Sequence, residues 1–194
     1  MVAGPDTNRH RRSKFSSSIH RPKKRKMQTT TDHPERTITG GCQCGHVRYR
    51  TQGKLDNAHL CHCRMCQKAV GNIFAALVST PKDALRWTGE VPAFWQSSAN
   101  VRRGFCGICG TPLYYDDTTS SQIGLTIGSL DQPAMYVPLS HDGVEGRMPW
   151  FDSINDIPDN GITEKPEQAE WAAAIKASSR QHADCENPQR DSEF

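Results

Sequence analysis

The stretch Gly40-Gly41-Cys42-Gln43-Cys44-Gly45-His46-Val47-Arg48-Tyr49-Arg50 decides how this chain folds. One residue separates Cys42 from Cys44, and in extended chain residues i and i+2 share a face, so both sulfurs aim at one point. Directly afterwards Val47 and Tyr49 alternate with Arg48 and Arg50, the two-residue period of a half-buried strand. A cysteine pair that opens a strand points to a β fold stapled through sulfur.

Working outward, short apolar runs at 74–78, 85–87, 94–96, 101–105, 113–115 and 123–127 read as further strands, with Gly, Pro, Asn and Asp turns between them. The expected fold is mainly β, with antiparallel sheets and a short C-terminal helix. That helix is placed at 167–176, around the Ala-rich Trp171-Ala172-Ala173-Ala174-Ile175. Fifteen Gly and twelve Pro in 194 residues argue against a helical bundle. The length suits one domain with tails, divided as a basic tail at 1–37, a domain at 38–160, and a helix with a polar tail at 161–194. No apolar run approaches the roughly 18–20 residues of a membrane span.

The chain has eight cysteines, and seven of them fall into three groups: Cys42-Gln43-Cys44, Cys61-His62-Cys63-Arg64-Met65-Cys66, and Cys106-Gly107-Ile108-Cys109-Gly110. Arg11-Arg12 is followed by Ser16, Ser17 and Ser18 rather than an apolar segment, so export is not expected and a cytoplasmic location is. In a reducing compartment such clusters more often hold metal than form disulfides. Seven sulfurs are too many for one zinc and one too few for two closed four-thiolate sites. The economical division assigns Cys42, Cys44, Cys106 and Cys109 to a closed structural zinc, leaving Cys61, Cys63 and Cys66 with a second zinc that keeps one position open, the condition for catalysis. Spacing leaves other pairings open, including one metal shared by the two Cys-x-Cys groups, and iron–sulfur ligation is an alternative. Cys185 stands alone as a bystander thiol.

The net charge of +3 is uneven. Residues 1–26 hold nine Lys or Arg against one Asp, a local +8 that leaves -5 for the rest. A duplex-binding basic face is therefore not expected on the domain. The run Pro22-Lys23-Lys24-Arg25-Lys26 fits a nuclear localisation signal or a loose nucleic-acid contact; the plainer readings are a solvated extension, or an upstream start with Met27 as the initiator.

Taken in order, Gly40-Gly41-Cys42-Gln43-Cys44-Gly45, Cys61-His62-Cys63 with Cys66, Gly104-Phe105-Cys106 with Cys109-Gly110-Thr111-Pro112, Gly128-Ser129-Leu130-Asp131 and Arg147-Met148-Pro149-Trp150 resemble the glutathione-dependent formaldehyde-activating enzyme / centromere protein V family. The resemblance covers about 38–158. It implies a mainly β architecture of zinc-stapled, folded-over antiparallel sheets (β-tent type), two zinc ions partitioned as above, and carbon–sulfur lyase chemistry that reversibly joins glutathione and formaldehyde as S-hydroxymethylglutathione. In one place the chain departs from the pattern. Many members carry His-Ile-Trp or His-Ile-Phe where this chain has His141-Asp142-Gly143, so a bulky apolar wall is missing.

For such a reaction a thiol in the open position loses its proton near neutral pH and adds to the aldehyde carbon. His62 and His141 are the candidate acid–base residues. Arg64, Arg102 and Arg147 are the first candidates to clamp the thiol substrate's carboxylates, with Lys68 and Arg103 beside them. Strand alternation allows His62 to face away from the sulfurs. His46 and His59 are expected at the surface, and Trp150 as a core anchor. The expected partners are a small thiol and a small aldehyde, with nucleic acid only through the basic tail. Two other readings stand beside the enzyme: a zinc-stapled binding module without catalysis, and a thiol-based redox or metal handler.

Overall fold

The structure, a computed structural model, describes residues 37–52, 54–163 and 165–184; the basic run at 22–26, Met27 and Cys185 lie outside them. In chain order the strands are β1 (Thr37–Gly41), β2 (Arg48–Gln52), β3 (Asp56–Cys61), β4 (Ala75–Pro81), β5 (Leu85–Trp87), β6 (Ala93–Ser98), β7 (Val101–Phe105), β8 (Pro112–Asp117), β9 (Gln122–Thr126) and β10 (Ser140–Asp142). Helix α1 (Arg64–Val70) follows β3, and α2 (Ala169–Ala177) comes near the end. The strands form a small sheet in the order β1-β2-β5 and a larger one in the order β10-β3-β4-β9-β8-β7-β6. The mainly β architecture, the antiparallel pairing and the short C-terminal helix agree with the expectation.

The differences are local. β10 pairs with β3 in parallel, against the all-antiparallel expectation. It is three residues long and exposed throughout, so no apolar pattern marks it. β3 also lacked a clear signal, because its start is interrupted by an irregular register between Asp56 and His59, where Asn57 takes a φ of 51°. Asn is among the few side chains that tolerate this left-handed region. The second cysteine loop is more helical than expected: Cys63 caps α1 by accepting from the Cys66 N–H, and Gly71, at φ 64°, ends it.

The two-residue period of β4 separates the molecule's two working faces. Val78 looks toward the small sheet and packs in the main core with Val47, Tyr49, Leu113 and Leu125. Leu77 and Ala75 look the other way and pack under Cys66, with Cys61, Cys63 and Tyr115 around them. Burial therefore stabilises the sandwich on one face while the other carries the second cysteine group.

A buried ion pair ties the small sheet to the loop after β9. Arg48 donates from both terminal nitrogens to Asp131, at 3.0 and 2.6 Å, and the Thr39 hydroxyl donates to the same carboxylate at 2.6 Å. Bidentate geometry of this kind satisfies both buried charges. Alongside it, the Tyr49 hydroxyl meets Ser129 Oγ at 2.8 Å. The Gly128-Ser129-Leu130-Asp131 motif is thus a structural clasp.

Gly104 is required by packing. A Cβ there would fall inside the van der Waals shell of the Tyr114 ring, which lies across the strand. Gly104→Ala is expected to cost about 1–3 kcal/mol through overpacking, read as a lower denaturant midpoint with an unchanged m value.

Candidate metal centres and the cleft above them

Cys42 and Cys44 sit on the turn from β1 to β2, and Cys106 and Cys109 on the turn from β7 to β8. Gly45 and Gly110 both take a φ of 77°, and their N–H groups close the turns onto the Cys42 and Cys106 carbonyls. Only glycine enters this region without strain, which accounts for Cys-x-Cys-Gly and Cys-x-x-Cys-Gly. The turns bring the four sulfurs within 4.8 Å of one another. Cys42 and Cys44 are 3.5 Å apart and Cys44 and Cys106 3.8 Å, far beyond a disulfide bond. Zn–S bonds of about 2.3 Å place tetrahedral thiolates about 3.8 Å apart, so the donor set and its spacing suit a four-thiolate metal site. Backbone N–H groups of Val47 and Ile108 point at Cys42 and Cys106 Sγ at 3.2 and 3.4 Å.

The thiols divide their protons unequally. Burial pushes the Cys109 thiol up, but the Thr111 hydroxyl and backbone N–H groups outweigh it and bring it down to about 6. The His46 backbone N–H pulls Cys44 down, yet burial and the three neighbouring sulfurs drive it up to about 12. Crowded thiols cannot all ionise unless a cation joins them.

The second group comes from one segment. Cys61 ends β3, Cys63 caps α1 and Cys66 lies in its first turn; their sulfurs also fall within 4.8 Å, with Cys61 and Cys63 3.5 Å apart. Among the described residues this group stops at three. Burial raises Cys61 to about 12. Burial also raises Cys63, but the Cys66 N–H, the adjacent thiols and Arg103 together lower it below the usual thiol range. Arg103 Nη1 and Nη2 both point at Cys66 Sγ from 3.6 Å, and its guanidinium lies over the Tyr115 ring at 5.1 Å.

All three sulfurs line a cleft of about 450 Å³, walled by His59, Asp142, Arg103 and Tyr115 and by serines of β4, β6 and the β8–β9 turn. This volume is in the ordinary range for small-molecule sites.

Several candidates lie elsewhere. His62 is fully buried on the opposite side of β3 from Cys61, with Nε2 2.9 Å from His141 Nδ1 and its ring among Phe74, Phe151 and His141. Neither His62 nor His141 lines the cleft, a placement that strand alternation explains for His62. Burial first, then His141 and Arg147, lowers His62 and keeps it neutral. Arg64, Arg102 and Arg147 do not line the cleft either. Arg64 donates to Gln67 Oε1 at 2.5 Å, Arg102 lies over Phe94 on the other face of β7, and Arg147 stands 3.6 Å from Asp152. Arg103 is the arginine on the wall. Within β7, Gly104 takes the face that Tyr114 covers, so Arg103 takes the other.

His46 is exposed as expected, but His59 is only 9% exposed and lines the cleft, its Nδ1 2.7 Å from the Asn57 carbonyl. Trp150 is 50% exposed rather than a core anchor. Gln67 was missed. Buried, it donates from Nε2 to the carbonyls of His62 and Gly146 at 2.6 and 2.8 Å, holding the 143–147 loop against the cysteine turn.

Residues 37–144 match the family model described as glutathione-dependent formaldehyde-activating enzyme. The chain belongs to that family. Among solved structures, a crystal structure of a Rhodobacter sphaeroides protein is 19% identical, with a TM-score of 0.45, covering 53% of this chain and 98% of that one. The family match takes in both cysteine groups and the cleft wall as far as Asp142. Membership supports a glutathione-dependent, formaldehyde-activating role. Among the described residues no helix is long and apolar enough to cross a membrane.

In metal-free protein the more ionised thiols react first. In chelator-treated protein at pH 7, iodoacetamide is expected to label Cys109 ahead of Cys44 and Cys61, as peptide mass mapping will show. Cys109 has a depressed pKa, so its contribution to the stability of the stripped fold is full above its ordinary value of 9.0 and is lost as pH falls toward 6.

Proposed function

We propose that this protein is a zinc-dependent carbon–sulfur lyase that makes and breaks the adduct between a small thiol, such as glutathione, and a small aldehyde, such as formaldehyde. The thiol sulfur bonds to the carbonyl carbon, the C=O π bond opens, and the thiol proton ends on the new hydroxyl oxygen; the reverse reaction returns both. The observation that carries this reading is the second cysteine group: three sulfurs from one segment, no fourth ligand side chain among the described residues, and a cleft directly above.

Cys42, Cys44, Cys106 and Cys109 would hold a closed structural zinc, and Cys61, Cys63 and Cys66 a second with room for one more ligand. A zinc ion at the second group supplies Lewis acidity that favours thiolate over thiol near neutral pH. The chain's own residues do the rest. Arg103 offsets sulfur charge at Cys66, while Tyr115 and Leu77 close the floor against water. His59, oriented by the Asn57 carbonyl, presents Nε2 to the cleft as a hydrogen-bonding partner for the aldehyde-derived oxygen.

Cys63→Ser tests this directly. Thiols add to formaldehyde unaided, so the quantity to measure is the rate in excess of the uncatalysed reaction. The variant is expected to lose that excess at least about a hundredfold and to carry about one zinc per chain where the parent carries about two, with its far-ultraviolet circular dichroism retained. An unchanged excess rate, or a parent protein without zinc, overturns the reading.

A further inference from the structure

We infer that Gly124 determines which thiols this cleft accepts: by withholding a side chain from the cleft floor, it leaves a notch in which the amide-bearing body of a peptidic thiol lies. This rests on the reading above that a thiol enters beside Cys61, Cys63 and Cys66, and it adds the residue that selects a long thiol over a short one.

Gly124 belongs to a row of residues that crosses the cleft floor. On one side it pairs with Ser79 of β4 and on the other with Tyr115 of β8, and Tyr115 pairs in turn with Arg103 of β7. All four line the cleft. A Cβ on Gly124 would have Tyr115 Cβ at 3.8 Å and Leu77 Cβ at 3.9 Å, both on cleft-lining residues, so it would rise into the cleft. Strands lie about 4.8 Å apart, so the missing side chain opens a gap about 10 Å wide between Ser79 and Tyr115.

The fold does not require glycine here. Gly124 does not take the positive φ of Gly45, Gly71 and Gly110. Among the described residues, the atom nearest to its Cβ position is the Tyr115 carbonyl oxygen at 3.6 Å, an ordinary van der Waals contact. Gly104 is the opposite case, with the Tyr114 ring already in the space a Cβ would take. A glycine inside a strand weakens it, and often marks a place where a ligand or another backbone comes close. The neighbouring strands leave room at Gly124, so the close approach falls to a ligand.

Distance and lining give that ligand its chemistry. Leu77 packs under Cys66, and Ser79 is two residues further along β4, about 7 Å in a strand. A peptide residue spans up to about 3.5 Å, so a thiol held at the sulfurs lays the peptide groups beside its own cysteine over the notch. A thiol of two carbons ends short of it. Around the notch stand Ser79, Asn57 and Gln122, uncharged side chains able to donate to a peptide carbonyl and to accept from a peptide N–H. Glutathione, whose cysteine is flanked by an amide on each side, is a thiol of this form.

The test uses the full-length, zinc-loaded protein as parent, Gly124→Ala, Gly124→Val and Cys63→Ser, each with formaldehyde and either glutathione or 2-mercaptoethanol. The quantity compared is the ratio, glutathione to 2-mercaptoethanol, of kcat/KM in excess of the uncatalysed reaction. The two thiols differ in intrinsic reactivity, but by the same factor for every variant, so a change in the ratio reports the notch. We expect Gly124→Val to lower the ratio at least about tenfold and Gly124→Ala about threefold, mainly through a higher KM for glutathione. The zinc content and thermal midpoint of Gly124→Ala are expected to match or exceed the parent's, since alanine suits a strand better than glycine does. A ratio unchanged in both variants, or rates that fall in parallel with both thiols, overturns this inference alone provided Cys63→Ser has lost the excess rate. A lower midpoint or zinc content in Gly124→Ala also overturns it, because the glycine is then a requirement of the fold. If the parent shows no excess rate with either thiol, or Cys63→Ser keeps it, the inference falls together with the reading on which it rests.

Discussion

Crowded sulfur is the constraint on which the rest of the molecule depends. Cys42, Cys44, Cys106 and Cys109 hold their sulfurs within 4.8 Å of one another, where each pair of thiolates repels by about 4 kcal/mol at a near-surface dielectric. Four such groups persist only with protons on most of them or a cation among them. The two pairs belong to different sheets, so whatever satisfies the sulfurs also clamps the small sheet to the large one at that end. A sheet of three short strands buries too little to hold its own register, and this clamp, with the Arg48–Asp131 pair, fixes where it sits.

The second cysteine group follows from the same sheet read on its other face. Residues of β4 alternate between the sandwich core, where Val78 lies, and the opposite side, where Leu77 floors the cleft and Ala75 packs with Cys66. Because the period of a strand is two, committing one face to the core leaves the other free for chemistry. β7 repeats the division: Gly104 yields to Tyr114 on one side, and Arg103 meets Cys66 on the other. Stability and site therefore share strands without sharing side chains.

What was legible beforehand follows from how local each signal is. Cysteine spacing is local, as is strand alternation, so the grouping of the seven sulfurs and the strands β5 and β7 could be read from neighbours in the chain. β10 could not, because its three exposed residues pair with a strand some eighty positions earlier and carry no pattern of their own. For the same reason the places of the histidines were not legible beforehand. A His beside cysteines looks catalytic, yet alternation turns His62 into the interior and brings His59, two residues before Cys61, onto the cleft wall. Five basic residues near the sulfurs looked equivalent in sequence; only the register of β7 against β8 separates Arg103 from Arg102.

A metal site with a vacancy poses a problem that a closed one does not, since three ligands cannot by themselves define where the fourth must come from. On the proposed reading of the second cysteine group, the surroundings would supply that definition. Gln67 bridges the His62 and Gly146 carbonyls, and His62 joins His141 across the same seam. Gly143 and Gly146 let the loop lie against the backbone of His62 and Cys63, where a Cβ at either position would come within 2.7 Å of a main-chain atom. With its outer side sealed by this packing, the Cys61–Cys66 turn presents its sulfurs only toward the cleft. On the proposed reading, the contacts that keep a fourth protein ligand out would also aim the open position at a guest, and none of them involves a cysteine sulfur.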